Sequence, residues 1–114
     1  DANHLWIGTW GGGLSLFDTQ NHTFRNFTTQ DGLPGNFILA LKQDPSGNLW
    51  VGSNKGLSRF DGKTFTNYSK LNGLIGDFIF SIEFGNDHSL WTGSHRGMNR
   101  LYIDPVSQAL VKNE

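Results

Sequence analysis

Hydrophobic and polar positions along the chain form short apolar segments, which are separated by turns rich in glycine, asparagine and aspartate. Many of these segments contain β-branched or aromatic residues, which favour strands. Apolar residues are nowhere sustained at a spacing of about 3.6, so the pattern predicts no helix. The predicted strands are Leu5–Thr9, Leu14–Phe17, Thr23–Thr28, Phe37–Gln43, Leu49–Ser53, Leu57–Phe60, Thr64–Tyr68, Phe78–Phe84, Leu90–Ser94, Met98–Ile103 and, as a divergent last strand, Ala109–Lys112.

One short string occurs three times, at Leu5–Thr9, Leu49–Ser53 and Leu90–Ser94. Each copy contains a bulky apolar residue, a tryptophan, a β-forming residue, a glycine and a small hydroxyl residue. From Phe24 onward each residue of the first copy corresponds to the residue 41 positions later in the second copy, so Phe24 aligns with Phe65. The extra residues of the first copy fall in turns, where insertions cost little. The spacing therefore indicates a repeat architecture.

Four short antiparallel strands in a repeat of about 40 residues are typical of a β-propeller blade. The predicted fold class is all-β, with four-stranded antiparallel blades, about three of them, from a larger propeller. Residues 1–28 would form a partial blade of three strands, 29–69 a complete blade, and 70–114 a third blade with a divergent last strand. Blades bury their faces only against other blades, so two apolar faces would stay open. We therefore expect contacts with other propeller blades or self-association.

The strands differ in a way that suggests their places in a blade. Phe37–Leu41 and much of Phe78–Phe84 are apolar on both faces, which suits an innermost strand buried between blades. Phe24–Phe27 and Thr64–Tyr68 alternate apolar with polar residues, which suits a solvated outer strand. The second strand would bury its tryptophan in the core, with a glycine two residues later leaving room for a neighbouring blade. These repeat positions are Trp6 and Gly8, Trp50 and Gly52, and Trp91 and Gly93.

Composition and charge exclude several function classes. A net charge of −1 with scattered lysines and arginines gives no field that would attract nucleic acid or an acidic membrane surface. The absence of cysteine rules out disulfides and thiolate zinc sites within these 114 residues. Apolar runs are too short for a membrane span, so we expect no direct membrane insertion by this segment.

At four places the second repeat resembles the two-component regulator propeller repeat: Asp31–Leu33, Asn36–Ile38, Asp44–Ser53 and Gly56–Asp61. The resemblance extends in register over nearly all of residues 1–103. It implies the periplasmic sensor region of a hybrid two-component system, which precedes a membrane span and a histidine kinase and responds to oligosaccharides. It carries over no catalytic residue and no cofactor.

The third copy departs from this pattern. Thr92 stands where a β-branched aliphatic residue is usual, and a different turn, 86–89, precedes the third tryptophan string. Beyond Pro105 the resemblance fades. Fold and sensor role are therefore what the resemblance implies for this chain.

The histidines, aspartates and consecutive glycines that could take part in metal binding, catalysis or phosphate binding are all explained by structural roles. The four histidines (His4, His22, His88 and His95) fall in predicted turns, without the spacing of a metal site. Asp18, Asp44 and Asp61 begin turns, where their carboxylates would accept local backbone hydrogen bonds. The Asp61-Gly62 pair predicts a type I′ hairpin turn. The glycines at 11–13 lack the lysine and helix of a phosphate loop, so they read as a hairpin turn.

Propeller topology indicates where a ligand would bind. The connectors into the innermost strands and the turns after the tryptophan strands would emerge on one face, the rim. An exposed indole, amides, an acid and cations there are a mixture that binds hydroxyl-rich ligands. The candidate rim residues are Trp10, Asn36, Asn54, Lys55, Asp77, His95 and Arg96. The alternative is an ordinary solvated rim.

The sequence therefore predicts a ligand-sensing, signal-transducing segment without chemistry of its own, with an oligosaccharide as the expected ligand. Three alternatives stay open. The segment could be purely structural, or it could be a protein-binding propeller with an apolar rim patch. A lyase-type propeller enzyme would need a clustered histidine and acid facing the channel, where the strands offer Lys42 and Glu83 but no histidine.

Overall fold

The structure, a computed structural model, describes residues 3–85, 89–103, 107 and 110–113. Its strands are β1 (His4–Gly8), β2 (Leu14–Asp18), β3 (Thr23–Phe27), β4 (Ile38–Gln43), β5 (Leu49–Ser53), β6 (Gly56–Phe60), β7 (Phe65–Tyr68), β8 (Ile79–Phe84), β9 (Leu90–Ser94), β10 (Gly97–Ile103) and β11 (Leu110–Asn113). Among the predicted turns, residues 86–88 lie outside the described part of the chain.

These strands form three antiparallel sheets, each a meander of consecutive strands. The first sheet has the order β1-β2-β3, the second β4-β5-β6-β7 and the third β11-β10-β9-β8. The inner strands β4 and β8 pack against each other across the second and third sheets, and β1 packs against β4. The predicted all-β architecture of propeller blades is confirmed. The chain boundaries predicted for the three blades stay a prediction.

Two apolar cores join the sheets. The core between the first and second sheets contains Leu14, Phe27, Val51 and Phe60, and the indole of Trp6 packs against it. The Trp6 and Phe60 rings meet edge to face, with their centroids 5.7 Å apart. The core between the second and third sheets contains Trp50, Leu57, Tyr68, Leu74, Ile79, Ile82, Leu90 and Leu101. Each sheet therefore buries a face against its neighbour, as stacked blades do.

The prediction that the inner strands are buried on both faces is wrong for several residues. Phe37, Phe78 and Phe80 are exposed, whereas the adjacent Ile38 and Ile79 are buried. Neighbouring residues of a strand point to opposite faces, so a continuous apolar run need not be buried on both sides. A β-bulge near the start of each inner strand also shifts its register.

The tryptophans of the repeat differ in burial. Trp50 is 6% exposed in the core between the second and third sheets, and Trp6 is half-buried between the first and second. Trp91 departs from the prediction of a core position, with 37% of its surface exposed. Trp6 and Trp50 each pack toward the sheet that follows in sequence, whereas within the described part of the chain no sheet packs on Trp91.

The prediction of no helix is also wrong, because two single-turn 3-10 helices precede the inner strands. They span Thr29–Asp31 and Lys70–Asn72. At the first, the Thr28 hydroxyl accepts from the Gln30 N–H at 3.2 Å and the Asp31 carboxylate accepts from the Thr28 N–H at 2.8 Å. One turn is too short to produce a helical hydrophobic period, so the cap residues were its only sequence signal.

Thr28→Ala is expected to lower the free energy of unfolding by about 1 kcal/mol, because a helix cap loses its acceptor. Thr29→Ala is the matched control, since the adjacent exposed threonine keeps the cap intact. Urea denaturation of both variants checks the difference. Equal destabilisation by the two substitutions would contradict a capping role for the Thr28 hydroxyl.

The hairpin between β6 and β7 differs from the predicted type I′ turn. Positive φ is found at Gly62 (104°) but not at Asp61 or Lys63. The Asp61 N–H donates to the Thr64 carbonyl at 3.3 Å, so Gly62 and Lys63 are the central pair of the loop. Positive φ at the first central position alone is the pattern of a type II′ turn. The glycine was therefore recognised correctly, but the loop begins one residue later than predicted.

A candidate ligand-binding rim

The turn carboxylates hold the hairpins together, as the sequence predicted. Asp44 accepts hydrogen bonds from the N–H groups of Ser46 and Asn48, each at 2.9 Å, and its second oxygen accepts from the Trp50 indole at 3.0 Å. Asp18 and Asp61 make similar local bonds. These carboxylates are therefore engaged in shaping turns.

Hydrogen bonding also shifts the acidity of two of these groups. The N–H groups of Thr64 and Lys63 hold the pKa of the Asp61 carboxyl below its ordinary value. The N–H groups of Asn21 and Gln20 lower the pKa of Asp18 in the same way. A carboxyl with a lowered pKa stays ionised at neutral pH and is a poor general acid.

The histidines only partly follow their prediction as turn residues. His4 lies in β1, where its Nε2 atom is 3.8 Å from an Asp18 carboxylate oxygen. His22 and His95 do lie in turns, whereas His88 is outside the described residues. No group of three or more histidine, cysteine, aspartate or glutamate side chains in the described part of the chain could hold a metal ion.

The first two repeats meet at Phe37. Trp10 forms an isolated antiparallel bridge with Phe37, and the two rings lie edge to face with centroids 6.0 Å apart. The Asn36 carbonyl accepts from the N–H groups of Gly11 and Gly13, at 3.1 and 2.9 Å. The Asn54 N–H donates to the Phe37 carbonyl at 3.1 Å. The connector and the two turns are thus held together at the same end of their strands.

The third repeat brings its connector and turn together in an equivalent way. The rings of Phe78 and His95 lie edge to face, with centroids 6.0 Å apart. Gly76 lies against the Ser94 hydroxyl and the aliphatic part of Arg96, and a Cβ at this glycine would be 2.8 Å from the hydroxyl oxygen. Asp77 lies in sequence between Gly76 and Phe78, the two residues that make these contacts.

Three of the predicted rim residues use their side-chain oxygens within the fold. The Asn36 amide oxygen accepts from the Thr29 N–H at 3.0 Å, and the Asp77 carboxylate accepts from the Lys70 N–H at 2.7 Å. Both bonds satisfy N–H groups at the starts of the 3-10 helices. The Asn54 amide oxygen accepts weakly from the Phe37 N–H at 3.4 Å. Their remaining capacity for a ligand is correspondingly reduced.

The other four candidates present their side chains to solvent. Trp10 is 76% exposed, and Lys55, His95 and Arg96 are exposed as well. Sequence reasoning missed two further rim residues, the exposed Phe37 and Phe78. Strand alternation could have found them, because each precedes a buried isoleucine that must point the other way. We use the name aromatic rim for Trp10, Phe37, Phe78 and His95.

A concave site lies at the end of the strands opposite the aromatic rim, between the second and third sheets. Its volume is about 370 Å³. It is lined by Asp44, Pro45, Ser46, Asn48, Trp50, Arg59, Phe84, Gly85, Ser89, Leu90, Leu101 and Ile103. The Arg59 guanidinium lies 6.0 Å from the centroid of the Trp50 ring. Sequence reasoning did not predict this cleft, because it forms only where two turns of different blades meet.

The inner strands carry one ion pair between blades. Lys42 Nζ of β4 lies 2.9 Å from a Glu83 carboxylate oxygen of β8, and both side chains are exposed. Neither strand contains a histidine.

No helix in the described part of the chain is long and apolar enough to cross a membrane.

Fold and site together define a segment of propeller blades with an exposed aromatic and cationic rim. Residues 32–55 match the family described as two component regulator propeller. A 42-residue stretch is 45% identical to histidine kinase P4 of Formosa agariphila. The recognition of two-component regulator propeller repeats in the sequence is therefore confirmed.

Solved structures extend the similarity to almost the whole chain. An extracellular domain assigned to a hybrid two component system of B. thetaiotaomicron is 30% identical over 96% of this chain, with a TM-score of 0.75. A second extracellular domain from that organism, described in two structures as part of a one component or a hybrid two component system, is 27% identical over 99%, with a TM-score of 0.76.

This chain spans only a small part of these relatives. It covers 3% of the length of the histidine kinase and 14% to 17% of the lengths of the extracellular domains. It is a propeller segment related to the extracellular domains of two-component sensor systems.

Proposed function

We propose that this chain is a ligand-recognising segment of the periplasmic sensor region of a hybrid two-component system, whose parent chain carries a histidine kinase. The similarity to extracellular domains assigned to such systems supports the location and the role. We propose no catalytic step for the segment itself. It would bind a signal molecule and thereby change the arrangement of blades or of a dimer interface.

The proposed ligand is an oligosaccharide that binds on the aromatic rim. The observation that carries this proposal is the Trp10 indole, which is 76% exposed and lies edge to face with Phe37. The C–H face of a sugar ring stacks on such an apolar surface, while hydroxyl groups need polar partners nearby. Lys55 and Arg96 are exposed donors in the turns at this end of the strands.

Signal relay follows from differential binding. A ligand that contacts turns of neighbouring blades favours the blade arrangement in which those turns lie at the right distance. The rim suits this role because Phe37 contacts both the Trp10 turn of the preceding blade and the Asn54 turn of its own. The lyase-type alternative has less support, because the inner strands carry the Lys42 and Glu83 ion pair without a histidine.

Trp10→Ala is expected to weaken oligosaccharide binding by about 10-fold, which corresponds to loss of about 1.4 kcal/mol of ring stacking. The probe is the strongest binder from an array of neutral and acidic oligosaccharides, titrated by calorimetry. Tryptophan fluorescence should respond to the sugar in the unmodified protein, and most of that response should be lost in the variant because Trp10 is so exposed.

Phe24→Ala is the matched control, since Phe24 is a similarly exposed aromatic residue near the other end of its sheet. This variant should bind the oligosaccharide as the unmodified protein does. The proposal fails if no oligosaccharide on the array binds at millimolar concentration, or if Trp10→Ala and Phe24→Ala bind equally well.

A further inference from the structure

The cleft between the second and third sheets has a largely apolar lining. Phe84 and Ile103 of the third sheet are half-buried and supply apolar surface to it. Leu90 and Leu101 line it as well and are almost fully buried. Its volume of about 370 Å³ lies within the range of small-molecule sites. The cleft lies at a junction between two sheets that pack on each other, so it does not depend on what covers the outer faces of the stack.

The negative charge at the cleft belongs to Asp44, whose oxygens are already engaged. The N–H groups of Ser46 and Asn48 donate to one carboxylate oxygen, each at 2.9 Å. The Asn48 amide and the Trp50 indole donate to the other, at 3.3 and 3.0 Å. An ionised carboxylate has about four acceptor positions, so this one has little capacity left for a ligand.

The positive charge at the cleft belongs to Arg59, which has an aromatic neighbour instead of an acceptor. Its guanidinium lies 6.0 Å from the ring centroid of Trp50, its cross-strand partner. Among the residues that the structure describes, no carboxylate forms an ion pair with Arg59. A guanidinium presents its N–H donors in a planar fork that fits both oxygens of a carboxylate. This half-buried cation is therefore the group that a ligand in the cleft can engage.

The repeat does not require an arginine at position 59. In the first sheet the cross-strand partner of Trp6 is Leu16, which packs against the apolar core there. In the third sheet the partner of Trp91 is Arg100. A blade can therefore be built with leucine beside its tryptophan, so packing alone does not account for the cation that Arg59 brings to the cleft.

We propose that the cleft binds a small organic acid, whose carboxylate pairs with the Arg59 guanidinium and whose apolar body lies against Phe84 and Ile103. An ion pair at a half-buried guanidinium is stronger than the same pair in bulk water, because water screens it less. An uncharged ligand of the same shape forgoes the ion pair, and a cation is repelled by Arg59. The site lies away from the aromatic rim and needs no oligosaccharide.

Phenylacetate and hexanoate are the probes, and each is compared with its uncharged amide, phenylacetamide or hexanamide. The Trp50 indole N–H, which donates to Asp44 beside the cleft, provides a local NMR signal. Titration of the unmodified chain should shift this signal. At least one of the two acids should bind 10-fold or more tightly than its amide, because the amide cannot form the ion pair.

Arg59→Leu removes the cation and introduces the residue that the first sheet carries at the corresponding position, so the sheet should remain folded. The variant should bind the acid at least 10-fold more weakly, with binding of the amide unchanged. Arg25→Leu is the matched control. Arg25 also lies over an aromatic ring, 4.6 Å from the Phe27 centroid, but it does not line the cleft. This variant should bind the acid as the unmodified chain does.

Equal affinity of the unmodified chain for acid and amide would overturn the proposal, as would the absence of any shift of the Trp50 signal with either acid. Equal binding of the acid by Arg59→Leu and Arg25→Leu would overturn it too. If circular dichroism shows that Arg59→Leu does not fold, the comparison of acid with amide in the unmodified chain still decides. Trp10→Ala should bind the acid normally, and a loss there would place the acid on the aromatic rim and contradict a site in the cleft.

Discussion

Leu57→Ala is expected to lower the free energy of unfolding by about 3 kcal/mol, within the range found for large-to-small substitutions in cores. Leu57 is fully buried between the second and third sheets, where it packs with Tyr68 and Leu101. Alanine would leave a cavity that the flanking strands cannot fill, because both strands are fixed by cross-strand hydrogen bonds. Urea denaturation monitored by tryptophan fluorescence measures the loss.

Leu71→Ala makes the same chemical change at a side chain that is 98% exposed. It should alter the free energy of unfolding by no more than about 0.5 kcal/mol. A similar loss in the two variants would show that the second and third sheets do not share the core described above.

Gly52→Ala is expected to be almost as damaging, with a loss of about 3 kcal/mol from overpacking. A Cβ at this position would lie 2.5 Å from the Ile79 carbonyl oxygen of β8. The obstacle is backbone rather than the flexible end of a side chain, so the second and third sheets would have to move apart. For a chain of this size we expect the melting temperature to fall by about 10 °C.

Gly62→Ala separates this steric effect from the usual cost of replacing a glycine. Gly62 has a φ of 104°, and a Cβ there would meet nothing within 4 Å. Its loss should be limited to about 1 kcal/mol of backbone strain. Thermal melts of the two variants measure this difference. Equal falls in stability would contradict a steric cost from the close approach of the second and third sheets at Gly52.

The recurrence of one string explains why so much of the fold could be predicted. A repeat with strand alternation and glycine-containing turns leaves few architectures, and strands such as Leu49–Ser53 and Leu90–Ser94 have the predicted boundaries. The turn aspartates followed from the same local chemistry. Local signals of this kind depend only on residues close together in sequence.

The candidate rim shows which features such local signals do not predict. Topology alone indicated that Trp10 and Asn54 belong to the same end of the sheets, and both contact Phe37 there. The use of Asn36 and Asp77 as acceptors for the 3-10 helices was not evident, because these short helices have no hydrophobic period. The exposure of Phe37 was missed because an apolar run was read as buried on both faces.

By itself, the sequence determined the repeat, the strands, the turns and the resemblance to two-component regulator propellers, since all of these depend on local spacing and residue type. The tertiary structure decided which copy of each repeated residue is buried. Trp50 and Trp91 occupy the same place in the repeat, yet one is 6% and the other 37% exposed. The reason is physical: burial depends on whether another sheet packs on a face, and a blade's own sequence does not contain that information.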